Sequence, residues 1–286
     1  MKTIIHTAEH LSKLSKEQHQ SLFELINWPD ALADDDLVMS PELLSLYGTE
    51  LYDTLTPEQV NELARQELVN FFSVNIHGER HLIAGIAERL HQKQHPAIND
   101  YLHHFIDEEN KHMACFAEYC QRYAGYIYRE RGVVFPRDYA PNEENVLFFA
   151  KALIFEELVD GYNAYMARDK RLCDVSLQIN DMHHRDESRH RAFGRCLVAS
   201  LFEEYSTLWD EQTKKGVSDY LGAYLKESWR SLYNSEVYEA LGFEEPYELR
   251  EIIWQHPLTR SHRQRYSAGI VKFLMKHGIL LEEPTL

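Results

Sequence analysis

DEENKHMACF (residues 107–116) and MHHRDESRHRAF (residues 182–193) are the two stretches on which the reading of this 286-residue sequence turns. Each contains Glu-x-x-His: Glu109 with His112, and Glu187 with His190. On an α-helix, residues three apart lie one above the other on the same face, so each pair points a carboxylate and an imidazole the same way. The apolar residues around them recur at three and four, the helical period. Leu102, Phe105, Ile106, Met113, Phe116 and Cys120 form one stripe, and Glu109 and His112 fall on it. Val175, Ile179, Phe193, Leu197 and Leu201 form another, interrupted by His183, Glu187 and His190. Two further apolar segments carry one acid each. Glu79 interrupts Phe72, Ile76, Leu82, Ile83, Ile86 and Leu90, while Glu156 sits among Phe149, Ala152, Phe155 and Val159. Burying an isolated carboxylate costs several kcal/mol or forces it to take up a proton. Four of them on core faces need a common cause.

A pair of metal ions is such a cause. One Glu from each of two helices plus Glu-x-x-His from each of two others is the ligand set of carboxylate-bridged dinuclear centres in four-helix bundles. The spacings fit: 109 − 79 = 30 and 187 − 156 = 31, each one helix, a turn and part of a returning helix. The halves repeat, since 187 − 109 = 78 and 156 − 79 = 77. Four carboxylates balance two divalent ions, and oxygen-rich coordination with a few imidazoles and no thiolate suits iron or manganese. Fe/Fe and Mn/Fe pairs both fit. The expected ligands are Glu79, Glu109, His112, Glu156, His183, Glu187 and His190. Glu67 lies 109 − 67 = 42 residues before the first pair, too far for a short hairpin, and Glu157 competes with Glu156 on spacing alone. His183 is one turn before Glu187 and offers a third imidazole, with orientation of a ligand as its other role; His184 points elsewhere. Metal-bound imidazoles give their second N–H to a carboxylate, which assigns Asp186 to His112 and Glu108 to His190.

The remaining histidines and charges read as ordinary. Glu88-x-x-His91 lies off the apolar stripe, on a solvated face. His77 and His81 stand four apart with no further ligand, and His103-His104 is expected to be exposed. Arg260, His262, Arg263 and Arg265 form the one basic patch, read as a solvated face.

The background is that of an all-helical globule. Hydrophobic residues make up 44%, enough for a large core, and only 12 Gly and 9 Pro interrupt the chain. Thr56-Pro57 opens a helix that runs to about residue 92. Others are expected at 96–126, 143–169 (after Asn142) and 175–205, then near 208–233, 246–254 and 260–278. Gly132, Pro136 and Pro141 mark a loop, and the first 55 residues read as short outer helices. The expectation is a ferritin-like four-helix bundle at about 58–205 with accessory helices at 1–55 and 206–286, all in one domain. A net charge of −16 disfavours nucleic acid and anionic membranes. The longest apolar run, residues 146–155, contains Lys151 and is about half of what a bilayer span needs. Cys115, Cys120, Cys173 and Cys196 form no CxxC pair and read as reduced thiols of a cytoplasmic protein.

At these residues the sequence resembles a known family, the di-iron N-oxygenases of the p-aminobenzoate N-oxygenase type within the ferritin-like class. NIHGERHL around Glu79, DEENKHMACF around Glu109, LIFEELVDGYN around Glu156 and MHHRDESRHRAF around Glu187 carry the likeness, which spans roughly residues 70–200. The run His183-x-x-x-Glu187-x-x-His190 is similar to that family's extra imidazole ligand. Gly78 departs from a strong helix former and implies a local kink. The resemblance implies a cytoplasmic oxidoreductase that uses two irons and O2 to convert an amine, aromatic or otherwise, to a hydroxylamine or nitro compound. It also implies an external ferredoxin- or flavin-type electron donor, and a homodimer is compatible with it. A different dinuclear oxidation (hydroxylation or desaturation) and non-catalytic iron binding are the alternatives.

Overall fold

The computed structural model describes residues 2–19, 21, 25–92, 95–130 and 139–286. Four long helices form the centre: α2 (Pro57–Arg89), α3 (Pro96–Tyr123), α4 (Glu143–Met166) and α5 (Asp174–Tyr205). Before them comes α1 (Lys2–Glu17). After them come α6 (Glu211–Leu232), α7 (Ser235–Ala240), α8 (Pro246–Gln255) and α9 (Pro257–Lys276). Among the described residues the regular structure is helical throughout, the architecture of a ferritin-like bundle with added helices.

Local chemistry sets where the central helices begin. Thr56 caps α2 by accepting from the Gln59 amide while the Gln59 side chain accepts from the Thr56 amide, and Pro57 takes the first turn, where no amide hydrogen is needed. At the start of α4, Asn142 has φ 62° and makes no side-chain cap; the Ala140 amide donates to Glu143. α3 and α4 end at Tyr123 and Met166, each three residues before the sequence-based limit, and Ser235–Ala240 is a helix that the periodicity did not reveal. Gly132 and Pro136 lie outside the described residues.

The helices pair antiparallel, as short connections require. α2 packs along α3 and α4 along α5, and the two hairpins face each other. Phe72 of α2 stacks on Phe116 of α3 with ring centroids 4.7 Å apart, while Asp160 and Glu157 of α4 bind His184 and Arg195 of α5. The outer helices differ from expectation in two ways. The N-terminal segment is not made of short helices alone: besides short 3-10 turns at Pro41–Leu43 and Tyr52–Thr54 it holds α1, which is 16 residues long and lies across α3 and α5. The basic patch near residue 262 is a solvated face only in part: Arg260 and Arg265 are exposed, while His262 and Arg263 are not. Arg263 is fully buried, its guanidinium 3.8 Å from the Trp254 ring centroid and donating to the Trp254 carbonyl, and His262 contacts the Tyr162 hydroxyl at 2.9 Å. No described helix is long and apolar enough to cross a membrane.

α2 runs through Gly78 as one continuous helix. The glycine answers a packing need. A Cβ at Gly78 would lie 2.4, 2.5 and 3.0 Å from three carbons of the Phe155 ring, and one at Gly85 would lie 2.1 Å from the Phe148 ring. Only the missing side chain lets α4 place aromatic rings against the α2 backbone.

Candidate metal centre

The seven expected ligand residues come from all four central helices and are each 3% exposed or less. α2 supplies Glu79, α3 supplies Glu109 and His112, α4 supplies Glu156, and α5 supplies His183, Glu187 and His190. The polar atoms of six of them converge, and Glu156 stands at their edge. Glu109, His112, Glu187 and His190 each present one ligand atom within 4.8 Å of the others, and Glu79, His112 and His183 do the same. His190 Nδ1 stands 2.7 Å from Glu109, 3.3 Å from Glu187 and 3.9 Å from Glu156. His183 Nε2 stands 3.0 Å from Glu187 and 3.5 Å from Glu79.

Close as they are, these atoms do not satisfy one another. Both carboxylate oxygens of Glu79, Glu109 and Glu187, Oε2 of Glu156, and Nδ1 of His112 and His190 are buried without a hydrogen-bond partner. Orphaned buried polar atoms are rare in native proteins because each costs about 1–3 kcal/mol, more when charged. Here nine of them, by the atoms just named, point into one space. Two divalent cations fit this donor set in number, charge and chemistry. The protein's own electrostatics state the same need: burial, with the neighbouring Glu109 and Glu187, holds the Glu79 carboxyl well above its ordinary range.

The far sides of the imidazoles fix which nitrogen is free. His112 Nε2 lies 3.0 Å from Asp186, and His190 Nε2 lies 2.8 Å from Glu108. The Nε2–H donates in each case and leaves the Nδ1 lone pair facing the centre. Burial works against charge at both carboxyls. Even so, the His112 and Lys111 contacts hold Asp186 low, and His190 and Arg189 hold Glu108 at about 2. For His112 burial also opposes charge, yet Asp186 and Glu109 push it up to about 9, so a metal ion binding at Nδ1 would displace a proton there. His183 is turned the other way round: its Nδ1 lies 2.5 Å from the Asn163 amide, whose Oδ1 is otherwise orphaned. Amide oxygen and nitrogen are told apart only by their partners. Placing the oxygen toward Nδ1–H satisfies both groups and frees Nε2 for the centre.

Sequence reasoning missed three supporting groups. Arg189 donates to Glu108 at 2.7 Å, to Asp186 at 2.5 Å and to Gln18 beyond the end of α1 at 2.8 Å; Lys111 donates to Asp186 at 2.5 Å; and Asn163 orients His183. A signal for the first two was present: Glu108-Glu109-x-Lys111-His112 and Asp186-Glu187-x-Arg189-His190 repeat acid, acid, gap, base, imidazole. The bases neutralise the outer carboxylates and leave the inner four without a cationic side-chain partner.

The competing residues lie elsewhere. Glu157 pairs with Arg195 at 2.5 Å, on the side of α4 away from the centre. Glu67 is bound by Ser45. His184 contacts Asp160 at 2.6 Å, His77 the Tyr128 carbonyl at 2.8 Å, and His81 the Glu130 carboxylate. Glu88, His91 and His103 are exposed, while His104 is half-buried rather than exposed. All four cysteines are free thiols.

Two solved structures of an R2-like ligand-binding oxidase, aerobically and anaerobically reconstituted with a Mn/Fe cofactor, share the fold at a TM-score of 0.51. Each is 16% identical, with 96% of this chain and 93% of the other covered. A search of the curated proteins finds no match to the sequence. The family described as P-aminobenzoate N-oxygenase AurF matches residues 2–278. The chain therefore belongs to the p-aminobenzoate N-oxygenase family of O2-dependent dinuclear-iron oxygenases.

Proposed function

We propose that this protein transfers one oxygen atom of O2 to the nitrogen of a primary amine, with an arylamine as the favoured substrate. The ligands would be Glu79, Glu109, His112, Glu156, His183, Glu187 and His190, holding two irons. The family match over residues 2–278 carries the reading. Bound there, the two irons would supply the electrons that activate O2 and the Lewis acidity that holds it. The balanced step takes the amine, O2, two electrons and two protons to a hydroxylamine and water; the N–O bond forms and the O–O bond breaks. We assign the electrons to an external ferredoxin- or flavin-type donor.

This chain's residues have definable tasks. Asp186 and Glu108 keep the protons of His112 and His190 on Nε2, so that Nδ1 stays a ligand. Asn163 does the same for His183 in the opposite tautomer. Phe105, its ring centroid 3.9 Å from that of His190, and Phe116, 5.0 Å from His183, wall the imidazoles with apolar surface and keep water off them. In such a low-dielectric site each charge interaction is stronger than in water.

The test supplies the iron-loaded, reduced protein with p-aminobenzoate or aniline under 18O2. Mass spectrometry should find the hydroxylamine or nitro product carrying heavy oxygen on nitrogen. Oxygenation only at carbon, or dioxygen consumption with the amine returned intact, would overturn the assignment.

A further inference from the structure

The seven ligand residues are closed from solvent, so an amine can reach the centre only if a side chain moves. The α2–α4 contact shows which one. It is built in three layers at seven-residue spacing, running antiparallel: Phe71 against Tyr162, Gly78 against Phe155, Gly85 against Phe148. The residue numbers of each pair add to 233. The outer layers are pinned. Phe71 and Tyr162 are buried and stacked at 5.6 Å, and the Tyr162 hydroxyl contacts His262. Phe148 is covered by the Arg89 guanidinium, 4.0 Å from its centroid, and Arg89 is itself tied to Asn145 and to the Gly85 carbonyl. The middle layer differs. Gly78 and Phe155 are both partly exposed, and among the described residues no other ring and no cation stacks on Phe155. Each is followed at once by a candidate ligand, Glu79 and Glu156, that is 3% exposed or less. On this face the two residues that solvent partly reaches are the immediate chain neighbours of two candidate ligands. On the opposite side, α1 and the network of Lys111, Asp186, Arg189 and Glu108 close the α3–α5 face.

We infer that the Phe155 ring is the gate of the centre and that the Gly78 backbone is the floor of the slot it closes. When the ring swings outward it leaves a space shaped for a flat ring, bounded by glycine where any side chain would intrude. A planar aryl amine fits such a slot edge-on, with its nitrogen leading toward Glu79 and Glu156; a branched aliphatic amine does not. Phe155 is thus a positioning and selecting residue, and this inference rests on the amine-oxygenating reading above.

The experiment measures azide binding to the oxidised, iron-loaded protein from its charge-transfer absorbance, which reports access without turnover. Phe155→Ala should load two irons and bind azide at least about tenfold faster than the parent, as expected when a lid is removed. Phe148→Ala, the same cut one layer away, should stay within about twofold. Should Phe155→Ala fail to load iron, Phe155→Leu serves, with a smaller acceleration in the same direction. An azide rate unchanged in the Phe155 variants, or raised equally in Phe148→Ala, would overturn the gate. With p-aminobenzoate as the amine, Phe155→Ala should change KM more than kcat. If azide enters faster yet no amine is ever oxidised, the gate stands and the amine reading fails. If the amine is oxidised and the azide rate does not respond, the gate alone fails.

Discussion

Replacing Glu67 by glutamine should flatten part of the protein's stability-pH profile. Glu67 is buried beside α2's contact with the segment before it, accepting from the Ser45 amide at 2.9 Å and from the Ser45 hydroxyl, which in turn accepts from Tyr238. Burial raises its carboxyl to about 7 from 4.5, against the Ser45 bonds that lower it. Between those two values the folded state binds more protons than the unfolded chain, so stability falls as pH rises through this window and levels off above it. At 1.36 kcal/mol per pH unit, the full effect is about 3 kcal/mol, most of which falls between pH 5 and pH 8. Glutamine keeps the shape and never ionises. Urea unfolding of the two proteins at several pH values isolates the effect, because titrations common to both cancel in the difference. Glu67→Gln should gain on the parent by about 2–3 kcal/mol on going from pH 5 to pH 8. Parallel profiles would refute the reasoning and mean that the Ser45 bonds stabilise the carboxylate as fully as water does.

Other consequences are more local. Asp186→Ala removes the acceptor of His112 and one partner each of Lys111 and Arg189; iron affinity should fall about 10–100-fold in a chelator competition, and unchanged affinity would contradict the orienting role. Glu156→Gln should lose iron while Glu157→Gln keeps about two per chain by metal analysis, because Glu157 faces Arg195; the reverse result would move the ligand by one residue. Gly85→Ala puts a Cβ 2.1 Å from a Phe148 ring held by Arg89. Thermal unfolding should show a loss of about 1–3 kcal/mol despite alanine's better helix propensity, and a gain would mean that the ring moves freely.

The central helices were legible because their apolar stripes are long and their exceptions are few. Glu79, Glu109 and Glu187 stood out as acids on greasy faces, and spacing then related them to one another. α4 was harder: with apolar residues nearly all round, periodicity could not separate Glu156 from Glu157, and the pairing of Glu157 with Arg195 on α5 is a tertiary relation that it does not display. Gly78 misled for a related reason. Helix propensity treats glycine as a weakness, whereas its use here is tertiary, the ring of Phe155 filling the space. Arg263 misled in the opposite sense. Its basic neighbours suggested solvent, but its guanidinium lies on Trp254 and bonds a backbone carbonyl, a relation between helices that sequence does not display. α1 carries no motif, so its placement over α3 and α5 could not be read from its own residues.

Anomalous diffraction at the iron edge from crystals of the iron-loaded protein tests the dinuclear centre most directly. Two peaks about 3.5–4 Å apart, enclosed by Glu79, Glu109, His112, Glu156, His183, Glu187 and His190, are the predicted result. A single peak, or iron bound away from these side chains, would contradict it.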